Sequence, residues 1–178
     1  MGFDLSGMNP NLSSPEPKLP PFPERTDEDW EKYHNWQEEN SGVYFRNNVW
    51  AWKPLWHFVC FACDNILTEK DIEKGSWNDC HKISKTKADR IARRLFKLIK
   101  DGKVKEYEEG YKKHIASLEQ IDCDLCESTG RRKEPPETGA GDHMECNGCN
   151  GKGKKDDWAK SYPFSEDNVR QFANFCAN

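Results

Sequence analysis

Large apolar side chains are sparse along this chain, and the few places where they gather predict its elements. The densest is GVYFRNNVWAWKPLWHFVCFAC, residues 42–63. Val43, Tyr44 and Phe45 ahead of Val49, Trp50 and Trp52 predict a β-like run. Pro54 then predicts the first turn of a helix, where a missing N–H costs nothing. Leu55, Phe58, Val59 and Ala62 recur beyond it at helical spacing. Upstream, Thr26 predicts the cap of a helix over 27–39 with Trp30, Tyr33 and Trp36 along one side, ended by Asn40-Ser41-Gly42.

Downstream, Thr68 predicts a short capped helical turn that stops near Gly75. Residues 77–83 have no period and read as a loop pinned by Trp77 and Ile83. Ala88, Ile91, Ala92, Leu95, Leu98 and Ile99 share one face of a regular amphipathic helix that starts at Ser84 or Thr86 and ends at Gly102. A second helix, about 103–118, carries Val104, Tyr107, Tyr111, Ile115 and Leu118, and the short link predicts an antiparallel hairpin. Ser165 caps a last helix with Val169, Phe172, Ala173 and Cys176 inward.

Two stretches lack such a pattern. Residues 1–26 are Pro-rich and read as an extended or disordered arm. Residues 121–155 are rich in Gly and Cys and too poor in apolar groups to hold a core without a metal. The expected layout is therefore the arm, an aromatic-rich helical core over 27–120, a Cys-rich module over 121–155, and a C-terminal segment over 156–178 whose helix packs on the core. The fold class is mainly α with a small β component, plus a zinc-stabilised Cys-rich module.

Composition narrows the role. A mean hydropathy of −1.02 and 33% charged residues coexist with 12% aromatics, which points to a compact core of few but large side chains. A net charge of −4 argues against general nucleic-acid adhesion by the whole molecule. No apolar run approaches the roughly 18 residues a membrane span needs, and the N-terminus lacks the layout of a secretion signal. The cysteines sit mostly in Cys-x-x-Cys pairs, which suits metal ligation in a reducing cytoplasm better than a disulfide framework.

The strongest candidate chemistry is Cys123-Asp-Leu-Cys126 with Cys146-Asn-Gly-Cys149. Each pair can present two thiolates to one ion, and four thiolates close a structural zinc site with no open position. Cys60 and Cys63 are buried structural thiols, half of a second zinc site completed by Cys80 or His81 and by His57, or a redox pair, for which no thioredoxin-like βαβ pattern is present. Arg46, Asn47, Asn48, Trp50, Trp52, Lys53 and Trp56 are either core and caps or a ligand pocket, with Trp faces for a base and cations for phosphate. Residues 82–105 hold ten Lys or Arg against two Asp. Arg90, Arg93, Arg94, Lys97 and Lys100 lie opposite the apolar face of their helix, as a solvated face or as the seat of an anionic partner, including nucleic acid or the protein's own acidic 27–39 helix.

Both late pairs resemble the Cys-x-x-Cys-x-Gly-x-Gly repeats of the DnaJ zinc-finger family. The second, ending Asn150-Gly151-Lys152-Gly153, matches fully; the first keeps Gly130 but has Ser128 at the earlier glycine. Two repeats rather than four imply one zinc, and without a His-Pro-Asp motif co-chaperone activity does not carry over. The N-terminal MGFDL, the central GVYFRNNVW and the zinc pairs together resemble a family of uncharacterised small bacteriophage proteins. That resemblance implies a viral accessory protein in a bacterial cytoplasm and no mechanism. The expected role, beside it, is non-enzymatic binding to a host protein such as a defence component. The alternatives are a nucleotide-binding protein that sequesters a host signalling nucleotide through the Trp/Arg/Asn set, and a nucleic-acid-binding or processing factor with Asp79 and His81 as acid–base candidates.

Overall fold

The computed structural model of the chain describes residues 2–132 and 144–178. It is mainly helical, with two small two-stranded sheets, and divides into two compact units: Met1–Glu109 with Pro163–Asn178, and Gly110–Tyr162.

In the first unit, strand β1 (Gly2–Ser6) pairs antiparallel with β2 (Tyr44–Asn48), from Gly2 opposite Asn48 to Ser6 opposite Tyr44. Helix α1 (Asp27–Glu39) lies between them in sequence and starts at Thr26 in a capping box with Asp29. Its end is tied to the Pro-rich segment by buried Asn40. The Asn40 Oδ1 accepts from the Ser13 N–H at 2.6 Å and the Ser13 hydroxyl at 3.0 Å, while its Nδ2 donates to the Trp36 carbonyl at 2.8 Å. Trp36 Nε1 in turn donates to the Ser14 carbonyl at 3.0 Å.

Strand β2 passes directly into α2 (Val49–Ala62). Asn48 has extended backbone angles, and its side-chain oxygen accepts from the Ala51 N–H at 2.8 Å, so it is the N-cap. The predicted β-like run is thus corrected: Val49, Trp50 and Trp52 are helical, and Pro54 lies in the second turn rather than the first. The reason is tertiary. Helical spacing stacks Trp52 on Trp56 with centroids 5.4 Å apart, and Phe3 of β1 covers the Trp52 ring at 4.9 Å. Trp52, Leu55, Trp56, Phe58, Val59 and Ala62 are all buried, which makes α2 the central helix of this core.

Short helix α3 (Glu69–Gly75) starts at Thr68 in a second capping box, with Asp71. Its end closes tightly on α2: the Gly75 carbonyl accepts from Trp52 Nε1 at 2.9 Å, and the Ile72 carbonyl from Trp56 Nε1 at 3.1 Å. The loop that follows is not pinned by Trp77, which is 67% exposed. Polar bonds hold it instead: Lys74 to Asp79 at 2.6 Å, Asn78 Nδ2 to the Gly2 carbonyl at 3.0 Å, and His81 Nε2 to Asp71 Oδ1 at 2.8 Å.

Helix α4 (Lys85–Lys100) is capped by Ser84 and ended by Asp101 and Gly102, the latter with a positive φ of 72°. It packs along α6 (Glu166–Ala177), burying Ile91, Ala92 and Leu95 on one side and Val169, Phe172 and Ala173 on the other. The expected hairpin with α5 (Lys103–Ser117) is therefore not formed. Helix α5 fully buries only Val104, too narrow an apolar surface to compete with α6 for the α4 face. Phe45, Phe58, Tyr107, Phe164 and Phe172 complete the core through ring contacts between 4.9 and 5.5 Å.

In the second unit, β3 (Ile121–Asp122) pairs antiparallel with β4 (Lys154–Lys155), followed by a short 3-10 turn over Trp158–Ser161. Tyr111 donates its hydroxyl to the Tyr162 carbonyl at 2.8 Å, tying the start of the unit to its end.

Candidate metal centre

The second unit is built as an internal two-fold. Cys123 and Cys146 are 23 residues apart, as are Cys126 and Cys149, and the backbone bonds repeat at the same offset. The Ser128 N–H donates to the Cys123 carbonyl at 3.0 Å, and the Gly151 N–H to the Cys146 carbonyl at 3.1 Å. The two turns also exchange bonds: Cys123 N–H to the Gly153 carbonyl at 2.8 Å, and Cys146 N–H to the Gly130 carbonyl at 2.9 Å. Even the β3–β4 pair has its counterpart in the bridge of Arg131 with Glu145.

Left-handed backbone makes these turns possible. Gly130, Gly151 and Gly153 have φ of 75°, 73° and 73°, and Glu127, Ser128 and Asn150 share the region at 50°, 65° and 49°. A Cβ on Gly130 would meet the Gly151 carbonyl oxygen at 2.2 Å, and one on Gly153 the Ser128 oxygen at 2.3 Å. Ser128, where the resembled repeat has glycine, holds the glycine conformation nonetheless.

All four thiols are buried and converge, with every sulfur within 4.8 Å of the others. A tetrahedral zinc with Zn–S bonds of about 2.3 Å sets sulfur–sulfur edges of about 3.8 Å. The Cys123–Cys146 and Cys126–Cys149 sulfurs are 3.8 and 3.7 Å apart, two edges of the length that ion requires. Burial acts to raise the Cys146 and Cys149 thiols; on Cys146 the Gly148 N–H and the neighbouring thiols outweigh it and hold the group near 7, whereas Cys149 is pushed up to about 11. The Gly153 N–H donates to the Cys149 sulfur at 3.2 Å, an outer bond of the kind that orients a ligating thiolate.

The second set does not assemble. Among the described residues, Cys60, Cys63, Cys80 and His81 form no metal-holding group. Cys60 and Cys63 lie in and at the end of buried α2, where burial pushes both thiols up to about 11. Cys80 is exposed at a positive φ of 63°, and His81 is taken by Asp71.

Of the aromatic set, Asn47, Trp52 and Trp56 are buried and Asn48 is a helix cap. Asn47 is buried and donates to Asn168 Oδ1 of α6 at 2.9 Å; Asn48 caps α2; Arg46 pairs with Asp4 at 3.5 Å. Trp52 and Trp56 are 3% and 5% exposed, and Phe3 and Trp56 cover the two faces of Trp52, leaving no open face there for a base. Trp50 and Lys53 lie on the outer side of α2.

Arg90, Arg93, Arg94 and Lys97 do share a surface, with Lys100 a turn farther along α4. The Arg90 and Arg94 guanidiniums reach the Asn65 carbonyl and side-chain oxygen at 3.5 and 3.3 Å, not the acids of α1.

Sequence reasoning missed one polar cluster. Asp71, 4% exposed, accepts from Lys87, His81 and the Thr68 hydroxyl and N–H, joining α3, the following loop and α4. The Thr68-x-x-Asp71 spacing of a capping box was the available signal.

No family model, curated protein or solved structure matches the chain. Of the two resemblances, what stands in the structure is a buried four-cysteine cluster consistent with a zinc module.

Proposed function

We propose that this is a small zinc-binding protein whose zinc is structural and whose task is binding rather than catalysis, with a host protein as its partner. The four-sulfur cluster carries the zinc reading: two of its edges have the length tetrahedral zinc sets, and four buried thiolates leave no position for a substrate or an activated water. The unit has little else to hold it. Among its described residues, the buried apolar side chains are the four cysteines. A viral accessory role in a bacterial cytoplasm rests on the phage-type segments of the sequence, and a binding role fits a site closed to chemistry.

Native mass spectrometry of protein purified without chelator tests both halves. The expected species carries one zinc per chain, absent from Cys123→Ser and Cys146→Ser. Wild-type protein free of zinc would overturn the metal reading. A co-purifying protein at fixed stoichiometry supports the partner reading, and a bound nucleotide in its place overturns it.

A further inference from the structure

The outward side of α4 and the turn after α2 enclose an open depression of about 280 Å³, lined by Arg90, Arg93, Arg94, Lys97, Asn65 and Ile66. No carboxylate is among these residues. Lys97 bonds Asp101 at 2.6 Å, but Arg90 and Arg94 meet only the neutral oxygens of Asn65. Arg93 is exposed, and among the described residues none of the three arginines has an ion-pair partner. Among the described residues, three permanent positive charges are thus gathered without an ion-pair partner, in a protein whose net charge is −4.

The shape of the cluster decides what it fits. Arg90 to Lys97 spans seven residues, about 10 Å along a helix axis, and Lys100 continues the row. A row of that length reaches beyond a single phosphate to the next along a strand, so it fits a polyanion better than an isolated phosphate. An acidic protein partner would want an apolar anchor at the centre of its interface. The only apolar lining residue is Ile66, itself 8% exposed. No aromatic ring lines the depression to stack on a base, so contact is confined to the backbone.

We propose that this depression binds the phosphate backbone of nucleic acid without sequence preference. Binding is local and salt-sensitive, because the acidic remainder of the molecule repels the rest of the strand.

The test is fluorescence anisotropy with two unrelated single-stranded oligonucleotides of about 20 nucleotides. Both should bind with affinities within a few-fold of each other. With four phosphates neutralised, affinity should fall roughly 50-fold between about 50 and 200 mM salt. Arg93→Glu should weaken binding roughly tenfold and flatten the salt slope by about 1. Its side chain is exposed and unpaired among the described residues, so the thermal melt should not move. Lys97→Gln is the second variant, with a smaller loss in the same direction, and Lys32→Gln on α1 should bind as wild type. Absence of binding at the low salt, or full binding by Arg93→Glu and Lys97→Gln, overturns the proposal. So does displacement of the oligonucleotide by poly-glutamate at equal charge, which would assign the depression to an acidic protein. Displacement by inorganic phosphate alone at comparable concentration would assign it to a small anion and overturn it too.

Discussion

Asp71 is a buried carboxylate, and burial alone would raise its pKa. Lys87, His81 and Thr68 donate to it and together win, holding it well below the usual carboxylate range. A folded-state pKa below the unfolded one adds stability that is complete above the unfolded value, near 4, and is lost as pH falls through the folded value. Urea denaturation should therefore show Asp71→Asn less stable by about 2 kcal/mol at neutral pH, since the half-buried Lys87 is left against an uncharged amide. The same titration should show the variant losing less stability than wild type on acidification. Ser128 offers the opposite kind of change. Its φ of 65° is a left-handed conformation that an L side chain resists. Ser128→Gly should raise the melting temperature of the zinc-loaded protein, by a gain of about 1 kcal/mol. Gly151→Ser, at the equivalent turn, should lower it, because its Cβ would also meet the Glu145 carboxylate at 2.8 Å.

Helix starts are the most local of the features, and they were legible. Thr26, Thr68, Ser84 and Ser165 each bond an N–H three residues ahead, so the signal lies within four consecutive positions. The switch from β2 to α2 was not legible, since Val49, Trp50 and Trp52 have strand propensity and Pro54 marks a plausible later start. Asn48 is what makes the switch. Asn48→Ala should cost about 1 kcal/mol in thermal or chemical denaturation, and more if the strand end frays with it. The α3–α2 contact is less forgiving. A Cβ on Gly75 would lie 2.1 Å from the Trp56 ring, which cannot move aside between Trp52 and the Ile72 carbonyl. Gly75→Ala should destabilise by about 2 kcal/mol, with a shift in Trp fluorescence as its signature.

At the level of the chain, the two units are held by different physics. The first has an apolar core on α2, α4 and α6; in the second, the buried cluster is four sulfurs. Chelation should therefore abolish hydrogen-exchange protection at the Cys123 and Cys146 amides, which bond the Gly153 and Gly130 carbonyls. The Leu95 and Val169 amides, inside helices of the first unit, should keep theirs. The sequence alone determined the features whose physics is short-range: the caps, the amphipathic face of α4, and two Cys-x-x-Cys turns poor in apolar neighbours. Tertiary structure decided what depends on distant partners. It chose α6 over α5 for the face of α4, because Val169, Phe172 and Ala173 bury more than Val104 does. It placed Trp52 between Phe3 and Trp56, which makes those two tryptophans core. It sent His81 to Asp71 and left Cys80 exposed, so Cys-x-x-Cys in α2 gained no further ligand. Spacing along a chain says which side chains can share a face, but only packing decides which face they meet.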